Sequence, residues 1–155
     1  MIKISPEVQA LIVNNQRKFW QGVIPPQWGI EGQVRDHFTG KKNTVKRRFG
    51  ELKKSVFFDK KTKILDLGCG YGFLIVFMRK LGFNIVGCDT DDFSIEIAKK
   101  ILSENRISPG LVVINCKKLP YRDNSFDLVY LNHVLVYVDN LPEFFKEIRR
   151  ILKKD

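Results

Sequence analysis

Apolar positions recur along this chain with two periods, and the change of period divides it. Val8, Leu11, Ile12 and Phe19 fall at helical spacing. Ser5-Pro6-Glu7 supplies an N-cap hydroxyl followed by a proline in the first turn. The spacing therefore predicts a helix from there to about Trp20, stopping near Gly22. Residues 22–40 break the pattern with Pro25-Pro26, Trp28-Gly29 and further glycines. They predict an irregular segment, aromatic enough to fold over a pocket as a lid. Val45, Phe49, Leu52 and Val56 then make one apolar stripe, which predicts a second helix over 43–57. Lys46, Arg47, Lys53 and Lys54 fall mostly on its other faces.

Beyond residue 62 short apolar runs alternate with helical patterns. The expected order is strand 64–67, helix 72–81, strand 84–89, helix 93–104, strand 111–114, strand 126–131 and helix 141–152. Gly82 is placed to end the first of these helices. Such alternation predicts an α/β fold with a parallel sheet and right-handed crossovers. The expected division is an N-terminal helical cap or lid over 1–62 and an α/β core over 63–155.

A chain of 155 residues can bury one substantial core. No apolar run is long enough to cross a membrane, and the start Met-Ile-Lys-Ile-Ser-Pro-Glu lacks the apolar stretch of a signal peptide. The three cysteines, Cys69, Cys88 and Cys116, have no C-x-x-C or metal-ligand spacing. They argue against a disulfide framework or zinc site and suit a reducing cytoplasm. All three stand near the ends of expected strands, as small apolar fillers or as thiols whose modification would block a pocket. The charge is lopsided. Residues 1–63 carry 14 Lys and Arg against 5 Asp and Glu; residues 64–155 carry 13 against 12. The basic excess belongs to the N-terminal part. It fits either a solvated helix face or an anionic partner such as RNA, although no aromatic residues interleave with the charges of 43–57 for base stacking.

The densest chemistry lies in residues 64–74, Ile-Leu-Asp-Leu-Gly-Cys-Gly-Tyr-Gly-Phe-Leu. A strand ends in the carboxylate of Asp66, three glycines follow at alternate positions (Gly68, Gly70, Gly72), and a helix begins. Such a turn lets a ligand approach bare backbone at the positive end of a helix dipole. A tight connection with no ligand has the same local features. The carboxylate ahead of the glycines argues for a ligand with a cationic part. Dinucleotide sites space their glycines as G-x-G-x-x-G, whereas here the third comes one residue earlier, which disfavours a dinucleotide oxidoreductase.

The pattern D-x-G-x-G-x-G resembles motif I of the class I S-adenosylmethionine-dependent methyltransferases. The resemblance extends to a second strand, Asn84-Ile-Val-Gly-Cys-Asp89, whose carboxylate follows Gly72 by 17 positions. It extends further to Leu119-Pro-Tyr121 and Ser125-Phe-Asp-Leu-Val-Tyr-Leu-Asn-His-Val-Leu-Val-Tyr-Val138, which is similar to the LPF-x-D-x-SFD-x-V-x-x-NHVLEHV stretch of methyltransferases of the type 11 and 25 kind. It implies a Rossmann-like three-layer sandwich with strand order 3-2-1-4, the first four strands of a usual seven. On that likeness the chain is expected to be a portion of a longer protein, truncated after its fourth strand. That strand would be a bare edge open to self-association.

The resemblance also implies roles. Asp66 would meet the methionine ammonium of S-adenosylmethionine. The backbone of Gly68, Cys69 and Gly70 would approach its methionine and ribose, and Gly72 would let helix and strand pack closely. Asp89 would hold the ribose hydroxyls; as alternatives, either carboxylate caps a turn or helix. Thr90 stands where an apolar residue usually packs on adenine, and Asn115 where an Asp usually accepts from the adenine amino group. The Cys116 N–H would reach a ring nitrogen, and Asn132 joins the cofactor-binding set. His133 is the candidate base for a methyl acceptor, or else only a lining residue. Tyr137 and Val136 replace the family's second His and its Glu. The implied function is methyl transfer to an O, N or C acceptor, a small molecule or RNA, leaving S-adenosylhomocysteine and using no metal. A non-catalytic S-adenosylmethionine-binding fragment and a basic RNA-binding module are the alternatives.

Overall fold

In the computed structural model the described residues are 2–19, 44–114 and 118–154. The expected lid over 22–40 lies outside them. Helix α1 (Pro6–Phe19) starts where predicted, and the Ser5 hydroxyl accepts from Val8 N at 3.3 Å. Helix α2 (Thr44–Ser55) is shorter than its apolar stripe. Val56 lies beyond its end and is exposed, while Phe58 turns into the core. Next come strand β1 (Lys63–Leu67), helix α3 (Phe73–Lys80), strand β2 (Asn84–Asp89), helix α4 (Asp92–Glu104), strand β3 (Leu111–Val113), strand β4 (Leu128–Leu131) and helix α5 (Leu141–Ile151). Gly82 ends α3 in the left-handed region. Its N–H donates to Arg79 O at 2.9 Å and the Phe83 N–H to Met78 O at 3.0 Å, a paired closure of the last turn.

The strands pair in parallel in the order β3-β2-β1-β4. Both faces of the sheet are covered, which is why the strands read as continuous apolar runs. On one face Ile64 and Ile85 join a cluster with α1 (Val8, Ile12), α2 (Val45, Leu52), α3 and α4. On the other, Leu65, Leu67 and Cys88 pack with Phe126 and with Phe144, Ile148 and Ile151 of α5. Alternation along β1 therefore puts Asp66 on the α1–α4 face, beside its cross-strand partner Tyr130. Helix α2 docks through Phe49, whose ring meets Phe77 at 5.4 Å and Phe83 at 5.6 Å.

Two features differ from the sequence reading. A three-residue 3-10 turn, Leu135–Tyr137, follows β4. The edge expected to be bare is partly paired: after α5 the backbone extends, Leu152 bridges Phe126 in parallel, and Lys153 N donates to Phe126 O at 2.8 Å. Arg150 of α5 ties down the segment before β4. It reaches Glu147 at 2.7 Å, the Tyr121 carbonyl at 2.7 Å and the Leu119 carbonyl at 2.9 Å.

Candidate functional site

The carboxyl ends of β1, β2 and β4 open into one cavity of about 840 Å³. Open α/β sheets bind ligands at this end, where neighbouring crossovers diverge. Asp66, Gly68, Cys69, Gly70, Asp89, Thr90, Asn132 and His133 all line it, so residues up to 67 positions apart in sequence meet at one place. Asn115 and Cys116 lie outside the described residues. Gly72 does not line the cavity. A Cβ there would press on Ala98 and Leu102 of α4, at 3.2 Å each. The close approach it permits is thus to the neighbouring helix rather than the strand.

The glycine turn is held from beneath. The Gly68 and Cys69 N–H groups both donate to Cys88 O, at 2.8 and 3.0 Å. Asp89 Oδ2 accepts from Gly70 N at 2.7 Å, and its Oδ1 from Asp91 N at 3.1 Å. Helix α4 is capped instead by Asp91, whose Oδ2 accepts from Ser94 N at 3.2 Å. Gly68 has a φ of +81°, and a Cβ there would run into the Val134 methyl group. Gly68→Ala is therefore expected to cost roughly 2–4 kcal/mol from left-handed strain plus overpacking. Urea denaturation measures it, and an unchanged midpoint would contradict the packing described. Gly70 has a φ of +51°, but nothing lies within 4 Å of where its Cβ would be. That open space belongs to the cavity.

Asp66 is only 4% exposed, and among the described residues its carboxylate has no hydrogen-bond partner. Burial pushes its pKa up to about 7; the Arg48 guanidinium pulls it down and the Asp89 charge adds to the rise. A buried carboxylate in this state favours a cationic ligand. Asp66, the open cradle over Gly70 and the bare backbone of the turn together fit the ammonium-bearing cofactor that motif I implies.

Cys69 and Cys88 are free thiols. Burial, reinforced by Asp66 and Asp89, pushes both up, Cys88 to about 12 and Cys69 further. They are therefore protonated fillers at neutral pH, slow toward thiol reagents. His133, with a φ of +57°, is exposed at the cavity mouth.

Sequence reasoning missed four lining residues that matter. Asn15 and Gln16 of α1 reach over the turn and donate to Tyr71 Oη at 3.0 and 3.2 Å. Arg48 of α2 and Tyr130 of β4 flank Asp66. A signal for Arg48 existed: three residues after Val45 and four before Leu52, it is the charge that interrupts the buried stripe. Two other cations of α2 have partners within the protein. Arg47 pairs with Glu51 at 2.8 Å, and Lys53 donates to Phe58 O at 3.2 Å while lying 4.7 Å over the Phe58 ring. No helix among the described residues is long and apolar enough to cross a membrane.

Residues 65–155 match the family model described as a methyltransferase domain. The chain is 33% identical over 91 residues to a sterol 4-C-methyltransferase from Caenorhabditis elegans, covering 57% of this chain and 27% of that protein. It is 32% identical over 96 residues to a ubiquinone biosynthesis O-methyltransferase from Pelagibacter ubique, covering 62% of this chain and 40% of that one. The chain thus spans well under half the length of these relatives. Among solved structures, a Pyrococcus horikoshii protein aligns with a TM-score of 0.62 at 26% identity, over 74% of this chain and 54% of its own. An S-adenosylmethionine-dependent methyltransferase from Aquifex aeolicus shares the fold, with a TM-score of 0.60 at 15% identity over 97% of this chain and 69% of its own.

Proposed function

The chain belongs to the methyltransferase-domain family, and from that premise we propose that its cavity binds S-adenosylmethionine for methyl transfer to an O, N or C acceptor. The observation that carries this reading is the buried, unpartnered carboxylate of Asp66 facing the cavity beside the open backbone of Gly68–Gly70. When bound, the cofactor supplies an electrophilic methyl and a good leaving group, and S-adenosylhomocysteine is the product. The protein's part is to bind and orient, which can lower the barrier by several kcal/mol.

In this reading Asp66 takes the ammonium. The Gly68, Cys69 and Gly70 backbone lies under the methionine and ribose, and Gly72 seats α4 against the turn. Asp89 spends one lone pair of each oxygen on the Gly70 and Asp91 amides and keeps others for the two ribose hydroxyls. Thr90 flanks the adenine, Asn115 accepts from its amino group, the Cys116 N–H donates to its ring, and Asn132 lines the adjoining wall. His133, at the mouth of the cavity, is the candidate to take a proton from an O–H or N–H acceptor. The acceptor in this reading is a small molecule or RNA. A reducing compartment such as the cytoplasm suits the thiols. Titration calorimetry of the whole chain with S-adenosylmethionine or S-adenosylhomocysteine is expected to give saturable one-site binding. No heat and no displacement at millimolar ligand would overturn the reading.

A further inference from the structure

The amino end of the sheet, opposite the cavity, carries a surface that the cofactor reading does not use. Residues 53–63, from the last turn of α2 to the start of β1, hold five lysines against one aspartate. Their backbone is fixed at several points. Phe58 turns inward and is buried, with its ring 6.3 Å from that of Phe49 and 5.4 Å from that of Phe83. Asp59 Oδ1 accepts from the Lys61 and Thr62 N–H groups, at 2.9 and 3.0 Å, and closes a tight turn. Held between the end of α2 and this turn, Phe57 points outward and is 91% exposed. Val56 beside it and Leu81 of the α3–β2 turn are exposed as well.

Lysines flank this apolar tip. Lys60 lies over the α3–β2 turn, with Nζ 3.5 Å from where a Cβ on Gly82 would stand, so Leu81 and the 56–61 segment share one surface. Lys53 Nζ lies 4.7 Å from the Phe58 ring and 5.8 Å from that of Phe83. Lys54 and Lys61 are exposed, and neither forms a salt bridge among the described residues. Strands β1 and β2 both begin at this end, so the cavity at their carboxyl ends faces away from it.

A single exposed apolar side chain is ordinary. Three together, flanked by lysines, match a partner that is both anionic and apolar. A negatively charged lipid surface has both in layers: headgroup phosphates for the ammonium groups, and acyl chains beneath for the ring. Nucleic acid fits less well. It is gripped by stacking bases on aromatic platforms and by the forked donors of arginine. Here Phe57 is accompanied by aliphatic residues, and the cations of 53–63 are all lysines.

We propose that the 56–61 tip, with Phe57 at its point, is a peripheral docking surface for an anionic lipid bilayer. Phe57, Val56 and Leu81 enter the interface while the lysines stay at headgroup level. The inference stands apart from the cofactor reading, since no residue of the tip lines the cavity.

The test is co-sedimentation of the whole chain with vesicles of phosphatidylcholine alone, and with vesicles of roughly three parts phosphatidylcholine to one part phosphatidylglycerol. Saturable binding is expected to the mixed vesicles, at least about tenfold tighter than to the neutral ones and weakening as salt is raised. Reversing two charges together (Lys60→Glu with Lys61→Glu) is expected to weaken it at least about 25-fold, at roughly fivefold per lysine lost. Phe57→Ser should weaken it roughly 5- to 20-fold. All three side chains are exposed, so these variants should keep the wild-type melting temperature. Phe57→Trp is expected to add an emission that shifts to the blue with the mixed vesicles and not with inorganic phosphate, which separates insertion from phosphate binding. No binding to the mixed vesicles, binding without that shift, or binding that every variant retains would overturn the proposal. So would a single-stranded RNA that binds the tip when the vesicles do not, or a dimer that Phe57→Ser dissociates without any vesicle binding.

Discussion

Asp66→Asn is expected to make the ligand-free protein more stable and to destroy its affinity for S-adenosylmethionine. The two effects share one cause. In the unfolded chain Asp66 ionises near the ordinary value of 3.8; in the fold, burial raises it to about 7. A group whose folded pKa is raised binds more protons folded than unfolded between those values. Its contribution to stability is fully present below about 4 and is lost as the pH climbs through 7. The wild-type protein at pH 8.5 therefore carries a buried, unpartnered charge that Asn would remove. The expected gain is on the order of 1–3 kcal/mol at pH 8.5, smaller at pH 5, and near zero only below about pH 3.5, where the carboxyl is neutral in both the folded and the unfolded chain. Thermal melts of both proteins across that range measure it. A wild-type advantage that grows with pH would contradict the assigned burial.

Binding has the opposite pH dependence. If the ammonium needs ionised Asp66, the proton must leave on binding. Affinity then falls about tenfold for each pH unit below 7 and levels off above it. Asn, neutral at every pH, should lose on the order of 100-fold at pH 8 and flatten the profile. A wild-type profile that is already flat would show that Asp66 does not meet the cation. This is a site that gives up stability for recognition, a common position for a functional carboxylate.

Asp89→Ala is expected to be the most damaging single change at the cavity. In the fold Asp89 does two things: it accepts from the Gly70 N–H at 2.7 Å, fixing the crown of the glycine turn, and it presents its remaining lone pairs to the cavity. Alanine removes both. The turn amide loses its acceptor, costing roughly 1–3 kcal/mol of stability. The ribose loses its acceptor at the same time, so affinity for S-adenosylhomocysteine should drop at least about 100-fold. Asp89→Asn separates the roles. Its one carbonyl oxygen can still take the Gly70 N–H, so most of the stability should return while the affinity does not. Recovery of both together would mean that Asp89 serves only the turn.

The fold was largely legible in the sequence, for a local reason. Each strand of the sheet is short, apolar and bounded by turn residues, and Ser5 and Gly82 mark helix ends through their own backbone bonds. The parallel sheet with order 3-2-1-4 follows from the alternation together with the resemblance, and the structure has it. The candidate site was legible at its strand ends: Asp66, Gly68, Cys69, Gly70, Asp89, Thr90, Asn132 and His133 all reach one cavity. Less was legible at element ends. The apolar stripe carried helix α2 on to Val56, whereas the helix stops at Ser55 and leaves that side chain in solvent.

By itself the sequence determined the order of the elements, the glycine turn and the two carboxylates at successive strand ends, because all of these are set by neighbours close in the chain. Only the tertiary structure decided what each carboxylate does before any ligand arrives. Asp66 is buried without a partner, while Asp89, 19 positions from Gly70, holds the turn. It also brought Arg48 and Tyr130 to Asp66. Which side chains share a cavity depends on how a helix face meets a sheet face across long stretches of chain, and no local pattern encodes that distance.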